Sequence, residues 1–222
     1  MNAFIKQNRG FIAFLVCFGF FRLAIADWNP IPSGSMRPTL LEGDVVVVNR
    51  LAYDFKLPLS DVSLLRTGAP ERGDVVTFTS PSDGVRLIKR LVALPGDVIE
   101  MRDEVLTING TVAGYSEPRS FTESLDNGGT TSALQIREHV AGNERTVQFL
   151  PEVAAKRNFG PLLVPQDSYF VLGDNRDNSA DSRYIGFVAR HLLIGKAHHI
   201  ALSAAIKDDW LPRTERTWRR ID

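Results

Sequence analysis

A serine in a stiff turn, Ser35, is the first residue of this chain that could do chemistry. Residues 31–40 read IPSGSMRPTL, and their two prolines and one glycine restrict the turn that presents Ser35. A serine hydroxyl is a poor nucleophile at neutral pH, so this chemistry requires a base nearby. The turn has no G-x-S-x-G motif, which argues against an α/β-hydrolase. A structured linker without catalytic function is the alternative interpretation.

A lysine within an apolar run, Lys89, is the candidate base. Residues 86–92 read RLIKRLV, and on a strand Lys89 shares a face with Leu87 and Leu91. An apolar face removes solvation from the charged ammonium and lowers its pKa. A shift of roughly 2–3 pKa units would make the lysine half neutral near pH 8. The alternative is an edge-strand lysine whose head group stays in water.

An acidic loop, residues 173–183, reads GDNRDNSADSR and follows an apolar run. It does not meet the EF-hand pattern, because Ser182 and Val188 occupy the required glycine and glutamate positions. Asx hydrogen bonds and Asp–Arg pairs would make such a loop rigid. We therefore expect a structural loop in which a hydroxyl such as that of Ser179 could orient a buried amine.

The four histidines are His139, His191, His198 and His199, and none has a glycine-rich or acidic turn context. We expect ordinary core or surface side chains and no Ser-His-Asp site. Metal binding by His198 and His199 is disfavoured, because adjacent side chains on a strand point to opposite faces.

The elements that must position these residues are strands, and the chain is predicted to be all-β. Short apolar runs rich in β-branched residues predict strands at 45–48, 74–79, 85–92, 98–101, 169–172 and 192–197. Asn109-Gly110 between two such runs predicts a type I′ hairpin. Residues 151–156 are the best candidate for a short helix.

Composition narrows the class of protein. The 222 residues carry 26 Lys+Arg and 26 Asp+Glu, and a net charge of zero argues against nucleic acid as a partner. One cysteine, Cys17, excludes an intrachain disulfide framework and an all-cysteine metal site. We expect no metal and no cofactor.

An apolar N-terminal segment changes the predicted compartment. Residues 10–26 contain one strongly polar side chain, Arg22, and follow Lys6 and Arg9. A helix of that length spans about 25 Å, slightly less than the ~30 Å hydrocarbon core, and Arg22 could snorkel to the interface. The basic flank predicts a cytoplasmic N-terminus and an exported remainder. A signal peptide cleaved after Ala24-Ile25-Ala26 is the alternative.

The chain divides into four predicted segments. Residues 1–26 form a cytoplasmic stub and an anchor, and residues 27–100 with 165–205 form the catalytic β core. The polar stretch at 101–164 is an inserted cap domain, and 206–222 are a C-terminal tail. The tail carries Trp210 and Trp218 and could touch a membrane surface, or it is a solvated terminal helix or a frayed end.

The three motifs together resemble the bacterial type I signal peptidases, the membrane-anchored leader peptidases. The serine turn, RGDVV at 72–76, IKR at 88–90 with LPGD at 94–97, and residues 173–183 followed by GFV occur in the family's order. The match covers most of residues 20–200. It implies an antiparallel β catalytic core with one membrane anchor, whose partners are preprotein signal peptides and the lipid bilayer of the cytoplasmic membrane.

The resemblance also implies a role for each matched residue. Ser35 would be the nucleophile and Lys89 the general base of a Ser–Lys dyad that cleaves after A-x-A-like sites. Ser33 would contribute to the oxyanion hole, and Ser179 would orient the lysine. The structural supports would be Asp174, Arg176, Asp181 and Arg183, and the substrate pocket would consist of Ile31, Pro32, Met36, Leu40, Leu87 and Ile88.

Two departures from the family's pattern concern the lysine strand. Leu87 stands where the family commonly has tyrosine, and Ala93 stands where it usually has glycine. Leu87 motivates an alternative function, a maturation peptidase for one specialised precursor such as a pilin. A second alternative is an exported β-domain that binds but has lost activity.

Overall fold

The computed structural model describes residues 7–57, 60, 62–124, 129–207 and 209–221, and nearly half of them lie in β-strands. Among these residues, α-helices form at α1 (Arg9–Ala24) and α2 (Ser182–Ile185), and single 3-10 turns occur at Gly34–Met36, Arg190–Leu192 and Thr214–Arg216. The strands are β1 (Ala26–Pro30), β2 (Asp44–Asn49), β3 (Asp54–Lys56), β4 (Ser63–Arg66), β5 (Val75–Thr79), β6 (Arg86–Ala93), β7 (Val98–Arg102), β8 (Val105–Ile108), β9 (Thr111–Val112), β10 (Gly114–Ser124), β11 (Thr130–Val140), β12 (Asn143–Phe149), β13 (Phe159–Leu163), β14 (Ser168–Leu172), β15 (Val188–Ala189), β16 (Leu193–Ser203) and β17 (Arg219–Arg220). The prediction of a mainly β fold is confirmed.

The largest sheet has eight strands in the order β1-β2-β16-β5-β6-β14-β15, with β17 added to β16. Every pairing in it is antiparallel. Strands β10-β11-β12 form a second sheet, β13-β7-β8-β9 a third, and β3-β4 a two-stranded ribbon. The strands that carry or flank the candidate site, β2, β5, β6 and β14, therefore lie in one sheet.

Each of the six predicted strands coincides with an observed strand, because the preference of apolar, β-branched runs for buried strands is a local property. Strand β16 extends to Ser203, six residues beyond the predicted end at Ala197. The predicted hairpin joins β8 to β9 and pairs Ile108 with Thr111. Both turn residues have positive φ, 51° at Asn109 and 78° at Gly110. These are the angles that a type I′ turn requires.

The helix predicted at residues 151–156 is wrong, since those residues form turns and irregular backbone. The guanidinium of Arg157 explains the difference. Its Nη2 atom donates to the carbonyl oxygens of Leu150, Pro151 and Val153 at 3.2, 3.1 and 3.0 Å. These carbonyls converge on one side chain, which a helix, with its carbonyls aligned along the axis, does not allow.

The C-terminal tail is neither a terminal helix nor a frayed end. Strand β17 pairs with β16, and the Arg216 guanidinium donates to the Asp44 carboxylate at 2.5 and 3.2 Å. Asp44 is buried on β2. The tail therefore contributes an ion pair to the interior of the large sheet, which ties it down.

The N-terminal helix α1 has 16 residues and exposes Phe11, Phe14 and Phe18. Among the described residues, no helix combines the length and the apolar character that a membrane crossing requires. At its C-terminal end, Arg22 places its guanidinium 4.4 Å from the ring centre of Trp28. The predicted membrane anchor is therefore not confirmed by the part of the chain that the structure describes.

Candidate active site

Ser35 lies in the middle of a single 3-10 turn, Gly34–Met36, directly after the extended residue Ser33. The Arg37 amide closes the turn on the Gly34 carbonyl at 3.1 Å. Gly34 fits closely there, because a Cβ atom would lie 3.0 Å from the Arg37 side chain and 3.1 Å from that of Glu42, and both side chains would have to shift slightly. The turn therefore holds Ser35 rigidly, with its side chain half-exposed.

Lys89 lies on β6, and its ammonium nitrogen donates to the Ser35 hydroxyl at 2.8 Å. A second hydrogen bond at 3.0 Å joins Lys89 Nζ to the carbonyl of Ile88. The contact requires β6 to run beside the serine turn, and pairing with β5 holds β6 there through Val76 opposite Lys89. Nucleophile and base candidates are thus within hydrogen-bonding distance.

Burial lowers the pKa of Lys89 to about 8, because the side chain has lost most of its solvation. The residue is only 3% exposed. The carboxylates of Asp181 and Asp174 favour the charged form and oppose this shift. Desolvation prevails, so an appreciable fraction of Lys89 is neutral near physiological pH.

Ser33 and Ser179 are the other two hydroxyls near the pair. Ser33 Oγ lies 3.5 Å from Ser35 Oγ, on the exposed side of the turn. Ser179 Oγ is buried and has no hydrogen-bond partner among the described residues. The structure therefore places Ser33 beside Ser35, whereas the hydrogen bond expected between Ser179 and Lys89 is not formed in it.

Gly173 brings the acidic loop against the serine turn. A Cβ atom at this position would lie 2.3 Å from Ser179 Oγ and 2.5 Å from the Ser35 carbonyl oxygen. No side chain fits in that space. Gly173 therefore allows Ser179 and Ser35 to approach each other closely. The acidic composition of the loop did not indicate that a glycine is required at this position.

Asn175 fastens the loop to the turn, and the sequence analysis missed it. Its side-chain amide donates to the Gly34 carbonyl at 3.1 Å, and its backbone amide donates to the Ser35 carbonyl at 3.2 Å. Its position inside the acidic motif at 173–183 was the sequence signal, but the neighbouring aspartates were the stronger candidates for a structural role. Asn175 holds the backbone on both sides of the nucleophile.

Two buried ion pairs flank the lysine. Arg90, next to Lys89 on β6, donates to both carboxylate oxygens of Asp174 at 2.9 and 2.8 Å. Asp181 accepts from the Arg183 guanidinium through two bonds of 2.8 Å and from the Gly173 amide at 3.0 Å. Bidentate pairs of this kind fix geometry as well as charge, and they anchor the acidic loop at both ends.

Arg176 contacts the second sheet rather than the dyad. Its guanidinium donates to both oxygens of Glu138 on β11 at 2.7 and 2.8 Å. These hydrogen bonds, together with the Arg176 charge, hold the pKa of Glu138 at about 2, although burial acts in the opposite direction. Nothing in the sequence around Glu138 indicated this role, because the two residues are 38 positions apart.

The predicted pocket residues do not form one exposed surface. Ile31, Met36 and Leu40 belong to one apolar cluster, against which Ile88 packs, and Met36 and Leu40 are 0% exposed. Leu87 packs against a different cluster, which contains Val76, Phe78 and Leu91. Of the six, Pro32, Leu87 and Ile88 present surface to solvent.

The histidines lie apart from Ser35, whose hydroxyl contacts Lys89 and Ser33. His139 shares a hydrogen bond of 2.9 Å with Ser116. The expectation that His198 and His199 point to opposite faces is wrong, since their Nδ1 atoms lie 2.6 Å apart. An irregularity in the pairing of β16 with β2 between Ala197 and His199 breaks the alternation there.

Comparison with known proteins identifies relatives over nearly the whole chain. The family model described as signal peptidase, peptidase S26, matches residues 4–202. A signal peptidase I of Rickettsia typhi is 35% identical, with 92% of this chain and 83% of that protein covered. One of Pseudomonas fluorescens is 35% identical, with 90% and 72% covered. A crystal structure of a signal peptidase I from Enterococcus faecalis matches with 34% identity and a TM-score of 0.35, over 58% of this chain and 96% of that chain.

Proposed function

Since the chain belongs to the signal peptidase family, peptidase S26, and is a serine endopeptidase that cleaves signal peptides from preproteins, we propose that Ser35 and Lys89 carry out the cleavage. The hydrogen bond of 2.8 Å between Lys89 Nζ and Ser35 Oγ is the observation that carries this proposal. A nucleophile needs an adjacent base, and Lys89 is the titratable group that its hydroxyl contacts.

The proposed reaction proceeds through an acyl-enzyme. Neutral Lys89 removes the proton of Ser35 as Oγ attacks the scissile carbonyl carbon. The tetrahedral intermediate collapses, the C–N bond breaks, and Lys89 returns the proton to the leaving amine. Lys89 then takes a proton from water as that water attacks the acyl carbon, and it returns the proton to Ser35 Oγ when the ester C–O bond breaks. The lowered pKa of Lys89, about 8, supports the base role.

The oxyanion hole is assigned to Ser33 Oγ and the Ser35 backbone amide. Ser33 lies on the exposed side of the turn, 3.5 Å from the nucleophile oxygen, so a substrate carbonyl bound at Ser35 could accept from its hydroxyl. One such donor contributes about 3–4 kcal/mol to transition-state binding. Ser179 is assigned to the orientation of Lys89, because its buried Oγ has no hydrogen-bond partner among the described residues and lies against the same loop glycine as the Ser35 carbonyl.

The free edge of β6 supports binding of the substrate as an added strand. Strand β14 pairs with β6 at Arg90, Leu91 and Ala93, whereas residues 86–88 pair only with β5 within the described part of the chain. Their opposite edge therefore has backbone groups available to an extended peptide beside Lys89. Ile88 and Pro32, which are partly exposed, would contact the small side chains that precede the cleavage site.

We also propose that the chain lies at the bacterial cytoplasmic membrane, with α1 in the bilayer and the catalytic part outside. The exposed phenylalanines of α1 and the exposed Trp210 and Trp218 support this location, since aromatic side chains favour the membrane interface. The basic residues before α1 predict a cytoplasmic N-terminus.

Cleavage of a generic preprotein in detergent tests the assignment. We compare the wild-type chain with Lys89→Ala and Ser35→Ala, and we expect both variants to lose at least a thousandfold in kcat/KM. Lys196→Ala is the matched control, because Lys196 is a partly exposed lysine on β16 that pairs with Asp74. Cleavage that survives in either dyad variant would refute the Ser–Lys mechanism.

A panel of unrelated preproteins then separates a general peptidase from one dedicated to a single precursor. Leu87, which lies on β6, packs against an apolar cluster. Its departure from the family's tyrosine therefore does not by itself restrict the range of substrates. We expect several unrelated precursors to be processed, and cleavage of only one would favour the specialised function.

A further inference from the structure

A basic cleft lies behind the serine segment, apart from the residues assigned to catalysis. Its volume is about 630 Å³, within the range of roughly 300–1,000 Å³ typical of small-ligand sites. One wall is formed by Pro38 and Thr39, shortly after Ser35. The charged residues that line the cleft are Arg119, Arg137, Arg145, Arg219, Arg220 and one acid, Glu144.

Three of the five arginines are free to bind a ligand. Arg137 pairs with Glu144 and Glu117, so its charge is compensated. Arg119, Arg219 and Arg220 are exposed and, among the residues that the structure describes, pair with no carboxylate. These three guanidinium groups come from β10 and β17, two separate parts of the chain that meet at this cleft.

A fourth guanidinium, that of Arg145, adds uncompensated charge from the interior. Its side chain is 2% exposed, and one bond of 2.5 Å joins it to Glu138. Arg176 already holds both oxygens of that same carboxylate. Within the described chain, Nε and Nη1 of Arg145 have no hydrogen-bond partner. A buried charge with half a counter-ion is costly, and an anion in the adjoining cleft would reduce that cost.

The aromatic residues beside the cleft indicate the source of the anion that it would bind. Trp218 is exposed beside Arg219 and stacks on His199, with ring centres 5.4 Å apart. One cross-strand row of the large sheet runs from Trp28 through Val47 and His199 to Arg220. Three strand spacings correspond to about 14 Å.

That row connects the cleft to the apolar helix. Trp28 contacts Phe18 of α1, with ring centres 6.0 Å apart. Arg220 thus lies on the same side of the sheet as the exposed aromatic residues, whereas Arg219 pairs with Ile200 and points from the opposite face, although both arginines line the cleft. Arginine together with tryptophan is typical of surfaces that contact lipid headgroups.

We infer that this cleft binds the phosphodiester headgroup of an anionic phospholipid, with Arg119, Arg219 and Arg220 as direct donors and Arg145 as the charge behind them. Guanidinium groups suit phosphate oxygens because they donate in a planar fork. Bound lipid would hold Pro38 and Thr39, and with them the serine turn, beside the bilayer. The inference rests on the proposed membrane location but not on the proposed reaction.

Calorimetric titration of the full chain tests the inference with two soluble lipids, dihexanoyl phosphatidylglycerol and dihexanoyl phosphatidylcholine, below their micelle concentrations. We expect the anionic lipid to bind at least tenfold more tightly. Arg119→Gln and Arg219→Gln should each weaken it about fivefold. Arg102→Gln is the matched control, an exposed arginine on β7 beside Glu100, and should change affinity less than twofold.

Separate outcomes would overturn the assignment. Equal binding of the two lipids, or unchanged binding in Arg119→Gln and Arg219→Gln, refutes the cleft as a headgroup site. Inorganic phosphate binding as tightly as the lipid would make it a free-anion site, and displacement of lipid by a glutamate-rich peptide would assign it to polypeptide carboxylates. Ser35→Ala should bind lipid like the wild type, so failure of the proposed catalysis and failure of this site are distinguishable.

Discussion

Lys89 Nζ lies 2.8 Å from Ser35 Oγ, although 54 positions separate the two residues in the chain. The lysine is buried in the large sheet, while the serine is half-exposed on a turn that leads into it. One strand therefore supplies both the position of Lys89 and the loss of solvation that lowers its pKa. Ser35 remains accessible to a peptide from solvent.

The pH dependence of cleavage should follow the titration of Lys89. Burial lowers the pKa of this lysine to about 8, so its neutral fraction is about one tenth at pH 7 and about nine tenths at pH 9. We expect kcat/KM for a peptide substrate to rise about ninefold over that interval. Lys196→Ala should retain the same profile, and a profile flat from pH 5 to 10 would contradict a lysine base.

Removal of the Lys89 charge should stabilise the fold at neutral pH. The folded pKa of about 8 lies below the ordinary value of 10.5, so the folded chain disfavours the bound proton. The unfavourable protonation of buried Lys89 lowers the free energy of unfolding by about 3 kcal/mol. This loss is fully present below pH 8 and is relieved as the pH rises towards 10.5. We expect Lys89→Met to raise the free energy of unfolding by about 2–3 kcal/mol at pH 7.

Urea unfolding at pH 7 and pH 10 measures that difference, and the gain should shrink at the higher pH. Lys196→Met, at a partly exposed lysine on the same sheet that pairs with the buried Asp74, should bring no gain in the free energy of unfolding at either pH. An equal gain at both pH values would mean that desolvation of the ammonium is not its cause.

Gly173→Ala should damage catalysis more than stability. The new Cβ would meet Ser179 Oγ at 2.3 Å and the Ser35 carbonyl at 2.5 Å, so the acidic loop must move away from the turn. A displacement of about 1 Å at a catalytic group costs roughly a hundredfold in rate, and we expect kcat to fall by that order. Gly114→Ala is the control, because nothing lies within 4 Å of its Cβ. Normal kcat in Gly173→Ala would show that the close approach is dispensable.

Arg90→Met should destabilise the fold through Asp174. The buried Asp174 carboxylate accepts two hydrogen bonds from Arg90 and one from Thr39. Removal of one partner of a buried pair costs about 3–5 kcal/mol, because a charge is left uncompensated. The midpoint of thermal unfolding reports the loss. Arg66→Met serves as the comparison, since its pair with Asp167 is exposed on both sides and should contribute at most about 1 kcal/mol.

Local features of this protein were predictable from the sequence. The apolar, β-branched runs of β2, β5 and β6, and the positive φ angles at Asn109-Gly110, follow from steric preferences of neighbouring residues. The apolar environment of Lys89 was readable for the same reason, since its neighbours on the strand are apolar. The helix predicted at residues 151–156 is wrong because the neighbouring Arg157 folds its side chain back onto the carbonyl groups of Leu150, Pro151 and Val153, a conformation that no sequence pattern indicated. The boundaries of the inserted segment and the membrane anchor stay predictions.

The sequence by itself determined the strands, the turn around Ser35 and the family, because each depends on residues close together in the chain or on motifs read in order. Only the tertiary structure decided which distant groups meet. Asn175 holds the serine turn, Glu138 receives Arg176, and Arg145 is left with half a counter-ion. Pairing of this kind follows from packing and from the compensation of buried charge, which involve segments that no local pattern connects.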